Sequence, residues 1–236
     1  MRIRVIVTGA SRGIGRGIAT VLGREGFAVG LVARSEDLLA EAAREIRAAG
    51  GSASTAPCDL RDAESTRTAF ASLIADMGGV DALINNAGLV IRKDVFELSF
   101  AEWRDMMATN ADGVFLATRA VLPHLEAAGR GHIINISSIS GRLPLAGGSG
   151  YAASKYAVSG FSASLFHELR DRGIKVTTIY PGSVDSASHR HDPGEDASWK
   201  VRPEEVGEAC RDVLRSASGT CISELEIRPL RRPPRR

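Results

Sequence analysis

Short apolar runs alternate along this chain with longer stretches of helical periodicity, and that alternation limits the fold more than any other feature. The runs fall at 3–7, 27–33, 53–58, 80–85, 132–136, 174–180 and 221–227. Several, such as Phe27 to Ala33, are continuously rather than alternately apolar. That pattern belongs to strands covered on both faces, hence to a parallel sheet. Helical patterns fill the intervals at 14–25, 36–49, 62–77, 100–128, 150–172 and 203–216. Ser99 and Glu102 have capping-box spacing, and Gly26, Gly50 and Gly173 stand where helices end. The order predicts a doubly wound, three-layer α/β fold with a central parallel sheet of about seven strands. No linker or repeat interrupts it, so 1–230 is expected to form one domain, with a basic Arg/Pro tail at 231–236.

Composition excludes several classes. Of 236 residues, 44% are hydrophobic and 25% charged, which argues against disorder. No apolar run approaches the ~20 residues of a membrane helix. Met1 to Val7 is too short and too charged for a secretory signal. Cys58, Cys210 and Cys221 are odd in number and show no CxxC spacing, so they read as reduced thiols of a cytoplasmic protein. The net charge is +2, yet Arg228, Arg231, Arg232, Arg235 and Arg236 alone carry +5, leaving the remainder at −3. A mildly acidic body does not make a nucleic-acid surface. His189-Arg190-His191-Asp192 reads as a mobile loop without a distant third ligand, so no metal is expected. His124, His132 and His167 fall singly, and Phe161, Leu165 and Leu169 read as a packing stripe.

Directly after the first run comes Thr8-Gly9-Ala10-Ser11-Arg12-Gly13-Ile14-Gly15, opening into a helix. Glycines between a strand and a helix let the backbone approach a pyrophosphate, which the helix N-terminus then attracts. The second strand ends Ala33-Arg34-Ser35 with no carboxylate at its tip, where a free ribose 2′-hydroxyl would want one. Arg12 and Arg34 instead suit the extra 2′-phosphate of NADP(H); the alternative is that Arg34 is a solvated helix-start residue. Glu36 and Asp37 read as complements to the helix dipole. A serine-hydrolase elbow is absent, since Gly147-Gly148-Ser149-Gly150-Tyr151 lacks the final glycine.

Further motifs follow in a fixed order: Asn85-Asn86-Ala87-Gly88, Asn110, Ser138, Tyr151-Ala152-Ala153-Ser154-Lys155 and Pro181-Gly182. With the glycine turn, this set resembles the short-chain dehydrogenase/reductase family from residue 3 to about 230, and so implies a Rossmann fold. Tyr151 and Lys155 are four apart and share a helix face. A tyrosine near pKa ~10 exchanges protons slowly at neutral pH. A neighbouring ammonium and an oxidised nicotinamide favour the phenolate, suiting Tyr151 to general acid/base work on a carbonyl/alcohol substrate. Ser138 would hydrogen-bond the same oxygen.

The resemblance adds roles that the residues alone do not dictate. It implies that Lys155 also binds the nicotinamide ribose and that Asn110 holds a relay water. It places Gly9, Ser11, Gly13, Ile14 and Gly15 at the cofactor, Asn86, Ala87 and Gly88 on the adenosine-ribose side, and Asp59 at the adenine. Pro181 and Gly182 would also meet the cofactor, and Val184 after them would hold the carboxamide through its backbone, while Ser186 stands where threonine is commoner. A homodimer or homotetramer built on the fourth and fifth helices is also implied, with no membrane or nucleic-acid partner. The segment 183–200, with Trp199 its one aromatic, is expected to cover an open pocket as a mobile lid. Leu89, Val90, Ile91, Leu143, Pro144 and Leu145 would give apolar walls, and Arg142 either an acid anchor or a merely exposed charge. An NADP(H)-dependent carbonyl reductase is the leading expectation. The alternatives are a 3-oxoacyl-carrier-protein reductase, which the acidic body disfavours, and a non-catalytic dinucleotide sensor.

Overall fold

All seven apolar runs become strands of one parallel sheet in the computed structural model, which describes residues 2–143, 146–186 and 196–231. They are β1 (Arg4–Thr8), β2 (Ala28–Ala33), β3 (Ser52–Pro57), β4 (Ala82–Asn85), β5 (Gly131–Ile136), β6 (Ile174–Pro181) and β7 (Glu224–Ile227). Their order is β3-β2-β1-β4-β5-β6-β7, every neighbouring pair parallel. The order reverses between β1 and β4, and such a reversal opens a crevice beyond the carboxyl ends of the strands.

The sheet is covered on both faces, as its unbroken hydrophobicity requires. Helices α1 (Gly13–Arg24), α2 (Glu36–Ala48) and α7 (Pro203–Leu214) cover one face. There Ile18, Leu39, Ile46 and Val206 pack on Val5, Val7 and Ile84. On the other, α3 (Ala63–Asp76), α5 (Gly113–Ala128) and α6 (Ser149–Leu169) bring Phe70, Val121 and Leu165 against Ile6 and Leu83. Adjacent strand residues thus point to opposite layers. Leu165 and Leu169 are buried with Phe161 against them, as the stripe implied. Helices α1 and α7 approach closely because glycine lies between them: a Cβ at Gly17 would stand 2.6 Å from Pro203.

The expected single helix over 100–128 is broken. Helix α4 (Phe100–Met107) passes through a π-helical turn at Ala108–Asp112 before α5 begins. The turn turns Asn110 inward, fully buried, to partners on other elements. Capping at the start of α4 follows expectation, Ser99 and Glu102 forming a capping box. That box and Lys93 hold the Glu102 carboxyl down at about 2, Lys93 contributing most. Gly26, Gly50 and Gly173 all take positive φ at helix ends. Among the described residues, no helix is long and apolar enough to cross a membrane.

Candidate active site

The glycine turn sits at the sheet's reversal point and is held from the β4 side. Asn86 Nδ2 donates to the carbonyls of Thr8 at 3.0 Å and Gly9 at 3.4 Å. The backbone N–H groups of Asn86 and Ala87 both donate to Thr8 Oγ1, at 3.0 and 3.1 Å. Asn86 and Ala87 therefore clamp the turn. No side chain is tolerated at Gly15, where a Cβ would stand 2.2 Å from the Gly9 carbonyl oxygen. Helix α1 has no side-chain cap from Arg12 and no acidic residue in its first turn. Its leading amides are thus available to an anion.

Arg12 and Arg34 are exposed at the rim of this turn, Arg34 directly following β2. Glu36 and Asp37 occupy the first turn of α2. Asp59, expected at the adenine, already meets Arg61 at 2.7 Å, and Arg61 reaches on to Asp105 at 3.2 Å. The Arg61 guanidinium holds the Asp59 carboxyl below its usual range against a partial desolvation, with Arg34 adding to the effect. Arg61 was not legible as a site neighbour, because nothing in the spacing of Asp59 and Arg61 demands an ion pair.

Helix α6 carries Tyr151 and Lys155, both buried. Lys155 Nζ donates to the Ile136 carbonyl at the end of β5, 2.9 Å away, and burial pushes its ammonium down to about 8. A Cβ at Gly88 would lie 3.3 Å from Asn110 Oδ1 and 3.7 Å from Lys155 Nζ, so three of the singled-out residues converge here. Asn110 Oδ1 accepts from the Leu89 N–H at 2.6 Å; its Nδ2 donates to the Leu89 carbonyl at 2.9 Å and to Ser154 Oγ at 2.8 Å. Ser154 Oγ donates in turn to the Tyr151 carbonyl at 2.7 Å. The π turn, the loop after β4 and the start of α6 are one hydrogen-bonded unit.

Ser138 follows β5 and caps a short 3-10 turn, Ile139–Gly141, its Oγ accepting from the Ser140 N–H at 3.1 Å. That leaves the hydroxyl proton to give elsewhere. Ser137 Oγ instead donates to the Lys155 carbonyl at 3.1 Å. A buried ladder beneath the site went unread in the sequence. Asn85 Nδ2 donates to Asn135 Oδ1 at 2.8 Å, and Asn135 Nδ2 to Ser162 Oγ at 2.8 Å.

Ser138 and Tyr151 open on a cavity of about 340 Å³. Ile14 from the glycine turn, and Pro181, Gly182, Val184 and Ser186 beyond β6, form one side of it. Val184 bridges Val201: the Val201 N–H donates to the Ser183 carbonyl and the Asp185 N–H to the Val201 carbonyl. In such pairing the N–H and C=O of Val184 itself point the other way. Val90, Arg92, Trp199 and Lys200 also line the cavity.

Several expected wall residues lie elsewhere. Leu143 is exposed, Leu89 and Ile91 are half-buried outside the lining, and Pro144 and Leu145 lie outside the described residues. Arg142 faces away, its guanidinium 3.0 Å from Glu224 and 4.6 Å from the Tyr180 ring centroid, because β7 offers it carboxylates. The middle of the expected lid, 187–195, with His189 to Asp192, lies outside the described residues, as does the tail from 232. No cluster of metal-ligating side chains occurs among the described residues. Of the single histidines, His132 is buried against Thr177 at 2.8 Å, while His124 and His167 are exposed.

The family model for short chain dehydrogenases matches residues 4–196. An uncharacterized oxidoreductase of Staphylococcus aureus is 33% identical over 226 residues, 95% of this chain and 96% of that protein. Among solved structures, an alcohol dehydrogenase from the archaeon Thermococcus sibiricus, complexed with 5-hydroxy-NADP, superposes with a TM-score of 0.92 at 30% identity over all of both chains. A serine dehydrogenase complexed with NADP+ gives 0.89 at 33% identity, covering 97% of this chain and 95% of that one. This chain belongs to the short-chain dehydrogenase family of oxidoreductases.

Proposed function

We propose that the protein transfers hydride between NADP(H) and a carbonyl or secondary-alcohol substrate, with Tyr151 as general acid/base. The observation that carries this reading is the convergence of Ser138, Tyr151, Ile14 and Val184 on one cavity beside an uncapped helix N-terminus. The chain's groups fit a dinucleotide. The tight, uncapped turn suits the pyrophosphate, Arg12 and Arg34 suit a 2′-phosphate, and the Arg61–Asp59 pair limits repulsion from the nearby carboxylate. Relatives bound to NADP support the same choice. Bound nicotinamide supplies the hydride.

The chain's own residues handle the proton. Tyr151 donates to the carbonyl oxygen in reduction and accepts from the hydroxyl in oxidation, while Ser138 steadies that oxygen with its remaining O–H. Lys155, buried 2.9 Å from the Ile136 carbonyl, favours the phenolate through its charge and offers further N–H donors to the cofactor ribose. The Asn110 amide has both donors engaged, so a relay water would rest on its backbone carbonyl or on the second lone pair of Oδ1. Val184's outward N–H and C=O suit a carboxamide. Free thiols at Cys58, Cys210 and Cys221 fit a cytoplasmic enzyme.

The test is NADPH oxidation across ketones, aldehydes and 3-oxo acids, with NADH in parallel. Turnover with NADPH that falls at least a hundredfold (~10²) in Tyr151→Phe is expected. Activity with NADH alone would overturn the reading of Arg12 and Arg34. Tight NADPH binding with no turnover on any substrate would favour a dinucleotide sensor.

A further inference from the structure

Both carboxylate oxygens of Asp59, expected at the adenine, are already engaged. Arg61 Nε donates to Oδ1 at 3.0 Å and to Oδ2 at 3.1 Å, and Nη2 donates to Oδ2 at 2.7 Å. The backbone N–H of Arg61 adds a bond to Oδ1 at 3.1 Å. On the other side of the same guanidinium, Nη1 meets Asp105 Oδ1 on α4 at 3.2 Å. Arg61 is thus held between two carboxylates, and it fastens one of them at the carboxyl edge of the sheet. The strand register brings Arg34 to that same edge. Ala33 pairs with Pro57, and the Cys58 N–H donates to the Ala33 carbonyl at 2.8 Å, so Arg34 and Asp59 leave β2 and β3 together. Arg34 acts on the Asp59 carboxyl through its charge, without a hydrogen bond to it.

An ion pair as exposed as Arg61–Asp59 adds little to stability, so its consequence lies in where it leaves charge. Asp59 feels the charge of two arginines and is bonded to one of them. Without Arg61 it would turn to Arg34. The rim would then lose a guanidinium suited to a 2′-phosphate and gain a carboxylate suited to a 2′-hydroxyl. We propose that Arg61 sets the preference for NADP(H) over NAD(H) as a positioning residue: by holding Asp59 it keeps Arg34 available to the 2′-phosphate. Asp105 holds the guanidinium from the far side and so keeps it in place. This rests on the NADP(H) reading above and goes beyond it, because it assigns the choice of cofactor to a residue that acts through Asp59.

The test is calorimetric titration of NADP+ and of NAD+ into the full chain, which reads the preference without turnover. Wild type is expected to bind NADP+ more tightly than NAD+. Arg61→Met should lower the ratio of affinities about tenfold, the effect of one surface carboxylate set against the phosphate. Arg61→Lys, which keeps the charge but not the fork, should lower it less. The double variant Asp59→Asn/Arg61→Met should regain the wild-type ratio, because no carboxylate is left to draw Arg34 away. A loop merely slackened by substitution would weaken both cofactors alike and leave the ratio unchanged. A ratio indifferent to Arg61→Met therefore overturns the proposal, while a fall in Arg34→Met would still keep the NADP(H) reading. A ratio lowered by Arg61→Met and not regained in the double variant also overturns it, giving Arg61 a direct hold on the phosphate instead. Equal affinity for both cofactors in wild type overturns the NADP(H) reading and the proposal with it.

Discussion

Lys155 shows how a buried ammonium weighs on the fold that holds it. Its ordinary pKa of 10.5 is lowered to about 8 by burial alone. The unfolded chain therefore holds the proton more tightly between pH 8 and 10.5, and stability rises with pH across that window. Below pH 8 the full cost of a buried ammonium is present, about 3 kcal/mol. In Lys155→Met this cost vanishes, while the lost bond to the Ile136 carbonyl takes back about 1 kcal/mol. The variant without cofactor is expected to melt about 4–8 °C higher than wild type at pH 7, the gap closing toward pH 10. A constant gap across that range would show that the ammonium is not desolvated. The pair Tyr151 and Lys155 was legible because both residues sit one helical turn apart within a motif. Arg92 was not, since a lone arginine in a loop becomes a pocket residue only through its placement over the Tyr151 ring.

Elements carry the same lesson where a side chain overrides local pattern. The apolar period of 100–128 runs on without a break, which is why it reads as one helix. Within the π turn Asn110 bonds Leu89 and Ser154, residues distant in sequence that no periodicity can register. Strand positions and the capping box at Ser99 were readable, because hydrophobic runs and caps are local. Asn110→Ala strands the Leu89 N–H and carbonyl, and is expected to destabilise by about 3 kcal/mol in urea unfolding. It should lower kcat more than it raises KM, because the unit it opens includes the Tyr151 carbonyl. Asn110→Asp, keeping the acceptor for Leu89 N–H, should recover part of the stability. Equal losses in both variants would show that the donors to Leu89 and Ser154 matter and the acceptor does not.

At the scale of the whole molecule, the sheet order places the glycine turn, Ser138 and the end of β6 at the same carboxyl edge, while the outer helical faces stay exposed. Helices α5 and α6 cover one face side by side, and the Phe115 ring meets Phe161 edge-on at 6.3 Å. Phe115 is 49% exposed and Tyr156, also on α6, 45% exposed, so apolar surface continues outward from a packed layer. Isolated exposed aromatics are ordinary, but a pair on adjacent helices continuous with the core suits a second copy of the chain. Tyr151 and Lys155 take no part in this surface: both are buried, Lys155 against the end of β5. Light scattering is therefore expected to find a dimer or tetramer at micromolar concentration. Phe115→Asp, placing a charge on that surface, should shift the population to a smaller species while leaving the far-UV spectrum intact. A wild-type monomer would remove this role from the two helices. An assembly indifferent to Phe115→Asp would move the interface to another face, such as the exposed edge of β7.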